Sequence, residues 1–107
     1  MRVNKKLLSR IEDILSNYPP FKDITVKVDV LQKQEKGEYW GTSVLRYVTD
    51  GVNKLSTEGT IYLNFRDARD VNDILKQVNH EGNHLLGGDT NDTAIMEWLQ
   101  SKMSGEG

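Results

Sequence analysis

The sequence predicts an α+β fold, in which helices precede and follow a three-stranded sheet within a single domain over residues 1–107. Two observations predict the elements: apolar residues recur at helical spacing near both ends of the chain, and they alternate with polar residues in the middle. A third observation predicts the sheet type. The segments between the strands look too short for crossover helices, so we expect a mainly antiparallel sheet.

One helix and three strands are expected in the N-terminal part of the chain. Apolar residues at helical spacing predict a helix that ends at Pro19-Pro20. Period-2 alternation and β-branched residues predict strands over 24–30, 39–48 and 60–65. The polar segments between them, 32–38 and 50–59, are expected to form turns and loops. The apolar positions of the helix are Leu7, Leu8, Ile11, Ile14, Leu15 and Tyr18.

Two more helices are predicted after the sheet. The first runs from Asp70 to about residue 86, where the pair Gly87-Gly88 ends it. Thr90, Asn91 or Asp92 is expected to cap the last helix, which reaches about residue 103. The apolar stripe of the first of these helices consists of Val71, Ile74, Leu75, Val78, Gly82, Leu85 and Leu86.

Composition disfavours several classes of partner. The formal net charge of −2 gives no electrostatic reason to expect binding to nucleic acid or to an anionic membrane. No apolar run approaches the length that crosses a bilayer, and the N-terminal helix interleaves charges where a secretory signal would be continuously apolar. The absence of cysteine fits a reducing compartment. We therefore expect a cytoplasmic protein, with a secreted effector as the alternative.

Both histidines of the chain lie in the stretch QVNHEGNHLLGGDTNDTAIMEW, residues 77–98. On a helix, His80 and His84 lie about 40° apart and about 6 Å apart along the axis, on the side opposite the apolar stripe. Two imidazoles at this spacing commonly supply two zinc ligands. Glu81 can then reach a metal-bound water without binding the metal itself. The alternative interpretation is a solvated helix face that carries polar residues.

A catalytic zinc site needs a third protein ligand. Asp92 is the first candidate, because it interrupts the apolar arc of the last helix, where a carboxylate needs a partner. Its alternative role is that of an ordinary N-cap. Asp89, just past the double glycine, is the second candidate. Glu97 is the third, because a tight helical hairpin would place it level with Gly82, although it points away from the apolar face.

The motif His80-Glu81-Gly82-Asn83-His84 resembles the HExxH motif of the zincin metallopeptidases. The predicted order of elements is similar to that of the smallest zincins, the minigluzincin and selecase-like proteins. In gluzincins the third ligand is a glutamate on the helix after the motif, which would be Glu97 here.

A second resemblance is to the motif of matrixin-type metzincins. The stretch HEGNHLLGGDTNDTAIM is similar to HExxHxxGxxH followed by a turn that contains methionine. Gly87 would be the turn glycine and Met96 the methionine beneath the metal. Thr90 stands where the third histidine is expected, and the spacing is shorter than in that family, so Asp89 would have to substitute.

These resemblances imply a small zinc-dependent endopeptidase that hydrolyses peptide bonds with a zinc-activated water and Glu81 as general base. The implied substrate is a peptide or an unfolded protein, bound by main-chain pairing to the strand over 60–65. Tyr39, Tyr47 and Tyr62 are the candidate oxyanion donors, and the residues do not discriminate among them. The alternative is a non-catalytic zincin-fold protein used for binding or regulation, with or without metal.

Overall fold

Three α-helices and three strands follow one another along the described part of the chain. They are α1 (Lys5–Ser16), β1 (Thr25–Val30), β2 (Thr42–Thr49), β3 (Lys54–Leu63), α2 (Val71–Leu86) and α3 (Ala94–Gly105). The structure is a computed structural model that describes residues 1–31, 42–49, 51–66 and 68–105. The α+β class is confirmed. The predicted turn over 32–38, Tyr39 and Asp50 lie outside the described residues, and no described helix is long and apolar enough to cross a membrane.

The sheet is mixed, with the strand order β1-β3-β2. β1 runs parallel to β3, from the pair Thr25 and Glu58 to the pair Val30 and Leu63, whereas β2 is antiparallel to β3. The prediction of a mainly antiparallel sheet is therefore wrong for one of the two pairings. The cause is β2 itself, since it lies within the connection from β1 to β3 and returns the chain without a crossover helix.

β3 occupies the centre of the sheet and is longer than predicted. Residues 54–59, expected to be a loop, belong to the strand because they pair with the second half of β2, despite their polar side chains. Residues 60–62 of β3 are paired on both sides, so their main chain has no free edge for an extended substrate. β1 and β2 are the outer strands, and each has one edge that pairs with no other described strand.

The helices cover only one face of the sheet. Val26 and Val28 are buried on that face beside Ile61 of β3, whereas Lys27 and Asp29 on the other face of β1 are exposed. α1 packs on β1, α2 packs over β2 and β3, and α3 packs against α1 and α2. The core lies between this helical layer and the sheet.

The ends of α2 follow the expected capping chemistry. The side chain of Asp70 accepts a hydrogen bond from the main-chain N–H of Asp73 at 3.1 Å. Gly87 ends the helix with φ of 68°, a left-handed conformation in which a side chain would be strained. The predicted apolar stripe is buried or half-buried except for Val71 in the first turn, which is 38% exposed.

Candidate metal centre

His80 and His84 lie side by side on the exposed side of α2. Their Nε2 atoms are 3.1 Å apart, and their rings meet nearly edge to face, with centroids 4.7 Å apart. Both side chains are exposed. The α-helix produces this arrangement without help, because residues four apart are neighbours on its surface.

The distance between the two nitrogens fits two positions of a tetrahedral zinc ion. With zinc–nitrogen bonds of about 2.0–2.1 Å, nitrogens at this spacing subtend an angle of about 100° at the metal. The same 3.1 Å also fits a hydrogen bond in which one neutral imidazole donates to the other. The histidine pair can therefore act as two zinc ligands without moving its helix.

Glu81 lies inside the buried arc of α2, with 7% of its surface exposed. On the helix it projects about 20° from Ile74 and about 40° from Leu85, both core residues. Helical periodicity places Glu81 beside the apolar stripe, off its centre. The buried arc is wider than the stripe, because α2 packs against the sheet on one side and α3 on another.

The Glu81 carboxylate keeps contact with solvent. In the described part of the chain, no fully buried side-chain nitrogen or oxygen lacks a hydrogen-bond partner. None of the hydrogen bonds or ion pairs among those residues involves the Glu81 side chain. Its oxygens therefore cannot be fully buried. A largely buried carboxylate that still reaches solvent, next in sequence to an exposed histidine, is an arrangement suited to proton transfer.

Two buried asparagines of α2 form hydrogen bonds to the main chain around the start of α3, a role that the sequence analysis did not predict. The side-chain amides of Asn79 and Asn83 both donate to the carbonyl oxygen of Asp92 at 2.8 Å. The side-chain oxygen of Asn79 also accepts from the main-chain N–H of Met96 at 3.0 Å. The available signal is their i, i+4 spacing within a helix, where asparagine is unfavourable unless its side chain has a partner.

Asp92 lies one residue before the cap position of α3, which is Thr93 because the helix begins at Ala94. The prediction of a cap at Thr90, Asn91 or Asp92 is therefore wrong by at least one residue. The Asp92 carboxylate accepts a hydrogen bond from the main-chain N–H of Ala94, the first residue of α3, at 2.9 Å. The pKa of Tyr18 is raised, first by burial and second by the negative charge of Asp92. The carboxylate therefore lies close enough to Tyr18, which follows α1, to act on it. The structure does not bring Asp92 into a metal-binding group with the histidines.

Asp89 and Glu97 are exposed and make local contacts. Asp89 accepts from the main-chain N–H of Asn91 at 2.9 Å, and a Glu97 oxygen lies 3.5 Å from the hydroxyl of Thr93. Across residues 1–31, 42–49, 51–66 and 68–105, no group of three His, Cys, Asp or Glu side chains could hold a metal ion. Among these residues, His80 and His84 are thus the pair whose spacing would suit a metal ion, and no third candidate ligand stands with them.

The candidate oxyanion donors differ in the face of the sheet that they occupy. Tyr47 lies on the helix-covered face, in line with Leu45, which pairs with Gly59 directly under Leu85 of α2. Tyr62 lies on the opposite face, because side chains of a strand alternate. Tyr39 lies outside the described residues. Of the two tyrosines that the structure places, only Tyr47 shares a side of the sheet with α2.

Comparisons with protein-family models, with curated proteins and with solved structures find no match for this chain. The resemblance to zincins therefore consists of the HExxH motif and of the order of the elements. Because one fold can host many activities, function has to be inferred from the side chains of the site.

Proposed function

We propose that this protein is a small zinc-dependent metallopeptidase in which His80 and His84 hold the metal and Glu81 is the general base. The observation that carries the proposal is the 3.1 Å separation of the two Nε2 atoms on the exposed side of a 16-residue helix. Glu81 adds a carboxylate that is largely buried by the core and still open to solvent. Two imidazoles and a neighbouring carboxylate are three of the groups that zinc-dependent hydrolysis requires, and the third ligand is the fourth.

Each group has a separate task in this proposal. Zinc, when bound, lowers the pKa of a water molecule and polarises the scissile carbonyl. Glu81 accepts the proton of the attacking water and later delivers it to the leaving amine. Tyr47 is the favoured donor to the developing oxyanion, since it lies on the sheet face that α2 covers. The substrate is an extended or unfolded polypeptide, and the main chain of β2, whose outer edge pairs with no described strand, is the part of the sheet that could pair with it.

The third zinc ligand is proposed to be Asp92, Asp89 or Glu97, after a local rearrangement. Each of these carboxylates would give up one hydrogen bond, which costs about 1 kcal/mol. Zinc bound at a structural site releases about 10–16 kcal/mol, so a rearrangement of this size does not prevent binding. We expect that only one of the three alanine variants loses zinc affinity steeply, as measured by competition with a chromophoric chelator. If all three variants keep the zinc affinity of the wild type, none of these carboxylates is a ligand and the site consists of the two histidines.

The second candidate function is a non-catalytic zincin-fold protein used for binding or regulation. It is favoured by the local hydrogen bonds of all three candidate third ligands and by the absence of a three-residue metal group among the described residues. In this case the histidine pair is used with or without metal, and no peptide bond is hydrolysed. The two functions therefore make opposite predictions for hydrolysis.

The Glu81→Gln variant tests the peptidase proposal. The change removes the ionisable group while keeping the size and helix propensity of the side chain nearly constant. We expect one zinc per chain to be retained by elemental analysis, and hydrolysis of an unfolded protein substrate to fall by about 10²–10⁴-fold. Because Glu81 is buried, circular dichroism must show that the variant stays folded. The matched control is Glu12→Gln on α1, which should leave both zinc content and hydrolysis unchanged.

Each outcome of this experiment supports one function. Retained zinc with lost hydrolysis supports the peptidase. Loss of zinc from a folded Glu81→Gln variant would show that Glu81 is a ligand or orients one, so its assignment as general base would be wrong. Equal hydrolysis by wild type and variant, abolished by a chelator, would point to a contaminating protease and favour the non-catalytic protein.

A further inference from the structure

A groove of about 710 Å³ opens on the helix-covered side of the sheet, beside the C-terminal end of α2. Its apolar lining comes from Ile24, Leu45, Tyr47 and Leu85. Leu45 and Tyr47 belong to β2 and are 41% and 58% exposed, which is unusual for large apolar side chains on the covered face of a sheet. The groove therefore presents apolar surface that the fold itself does not bury.

The groove is lined by the C-terminal end of α2 and by β2, an outer strand of the sheet. Leu85, which lines it, directly follows His84 on α2. Gly59 lies beneath Leu85, since a Cβ atom at Gly59 would stand 3.0 Å from the Leu85 side chain. Leu45 is the β2 partner of Gly59. A chain that paired with the outer edge of β2 near Leu45 would thus lie next to the groove.

The charged rim of the groove is predominantly basic. Lys22 and Lys54 line it together with one carboxylate, Asp23. The ammonium group of Lys54 lies 5.2 Å from the centre of the Tyr47 ring, so one basic group is held directly beside the apolar wall. An apolar floor with a net positive rim is complementary to an apolar group that has a negative charge next to it.

We infer that this groove binds an extended polypeptide through one apolar side chain with an acidic residue beside it. The apolar side chain contacts Leu45, Tyr47 and Leu85, and the acidic one is attracted by Lys22 and Lys54. Only the identification of this polypeptide as the substrate of the histidine site rests on the proposed function. Binding itself depends on the groove and on the edge of β2.

Fluorescence anisotropy with labelled peptides tests the inference without requiring hydrolysis. The protein is the Glu81→Gln variant, which leaves the groove intact, and the probe is an alanine hexapeptide with Leu-Glu at its centre. We expect binding to weaken about tenfold when the leucine is replaced by alanine, because half-burial of its extra carbons contributes that much affinity. Replacing the glutamate with lysine should weaken binding about two- to fivefold at low salt, and the difference should vanish in 1 M NaCl.

Two variants of β2 form the matched comparison. Leu45→Ser should weaken binding of the Leu-Glu peptide about as much as removing the leucine from the peptide does. Val44→Ser is the control, because Val44 is 51% exposed on the opposite face of the same strand, and it should leave binding unchanged. Equal affinity for the leucine and alanine peptides, or equal effects of the two variants, would overturn the inference.

Two further results separate this inference from its alternatives. If Leu45→Ser converts a dimer into a monomer in sedimentation experiments and no peptide binds, the groove is an interface between two copies and the inference is wrong. If the peptide binds as expected but wild-type protein with bound zinc does not cleave it or an unfolded protein, the metallopeptidase proposal fails while the groove assignment stands.

Discussion

Gly82 is the central residue of the HExxH motif. We expect its replacement by alanine to leave the protein no more stable, or to destabilise it, because of a single contact with α3. A Cβ atom at this position would lie 2.7 Å from Cδ1 of Ile95, well inside the separation of about 3.5–4.0 Å at which carbon atoms pack. Ile95 is 1% exposed, so its side chain is enclosed by the core and cannot turn out into solvent. Gly82 thus allows α3 to approach α2 closely.

Two opposing contributions set the change in unfolding free energy that Gly82→Ala causes. Alanine in a helix interior is favoured over glycine by about 1 kcal/mol, whereas overpacking a core costs about 1–3 kcal/mol. We expect Gly82→Ala to reduce the free energy of unfolding by about 0–2 kcal/mol. Ile95→Val removes Cδ1, and the next atoms that the new Cβ would meet, Cζ of Phe21 and Cγ2 of residue 95, lie at 3.6 and 3.8 Å. In the Ile95→Val background, Gly82→Ala should therefore stabilise the protein by about 1 kcal/mol.

Urea denaturation of the four proteins of this double-mutant cycle measures the effect. The slope of the unfolding free energy against urea should stay constant, so that shifts of the midpoint report stability. Ile95→Val alone should cost about 0.5–1.5 kcal/mol, and the two substitutions should couple by about 1–3 kcal/mol. If Gly82→Ala changes stability equally in both backgrounds, Ile95 does not pack on Gly82, and the close approach of α3 to the motif is refuted.

Two further predictions concern the site and its surroundings. His80→Ala and His84→Ala should each abolish stoichiometric zinc binding, measured by elemental analysis. The free energy of unfolding in the absence of metal should change by no more than about 0.5 kcal/mol, as is usual at exposed positions. A full equivalent of zinc in both variants would place the site elsewhere. Asp92→Asn should lower the pKa of Tyr18 by removing a negative charge, while burial, the larger cause, keeps that pKa above its ordinary value of 10.0. Ultraviolet titration against a Tyr18→Phe reference measures this, and an unchanged Tyr18 pKa would show that Asp92 lies elsewhere. Because a raised pKa means that the folded state retains the phenol proton, the stability linked to Tyr18 should be present below the unfolded pKa and lost as the pH rises through the folded one.

Local periodicity predicts the helices of this chain but not the pairing of its strands. The apolar spacing of α1 and α2, together with Pro19-Pro20 and Gly87 at their ends, determines where both helices lie. The alternation in β1 shows which face is buried, yet it contains no information about the neighbouring strand. The mostly polar residues 54–59 show where prediction from local periodicity fails, because pairing with β2 outweighs their weak strand propensity.

The same limit applies to the site. The i, i+4 spacing of His80 and His84 is enough to predict that their rings meet, since a helix imposes it. The burial of Glu81 is not predictable from its neighbours in sequence, because it results from the sheet and α3 packing on different sides of α2. The roles of Asn79 and Asn83 depend likewise on a carbonyl group nine or more residues away.

The exposed side of α2 provides the strongest physical reason to regard the histidine pair as functional. Ten of the 16 residues of α2 are buried. Beyond its first residue, the exposed positions form one row at a spacing of four, namely Asn72, Lys76, His80 and His84. The first two are residues that any solvated helix could carry, and neither the core nor the caps of α2 require imidazoles at the other two. Lysine or glutamine there would favour the helix at least as much. The fold does not account for two adjacent imidazoles on this row, whereas the proposed zinc site would account for them.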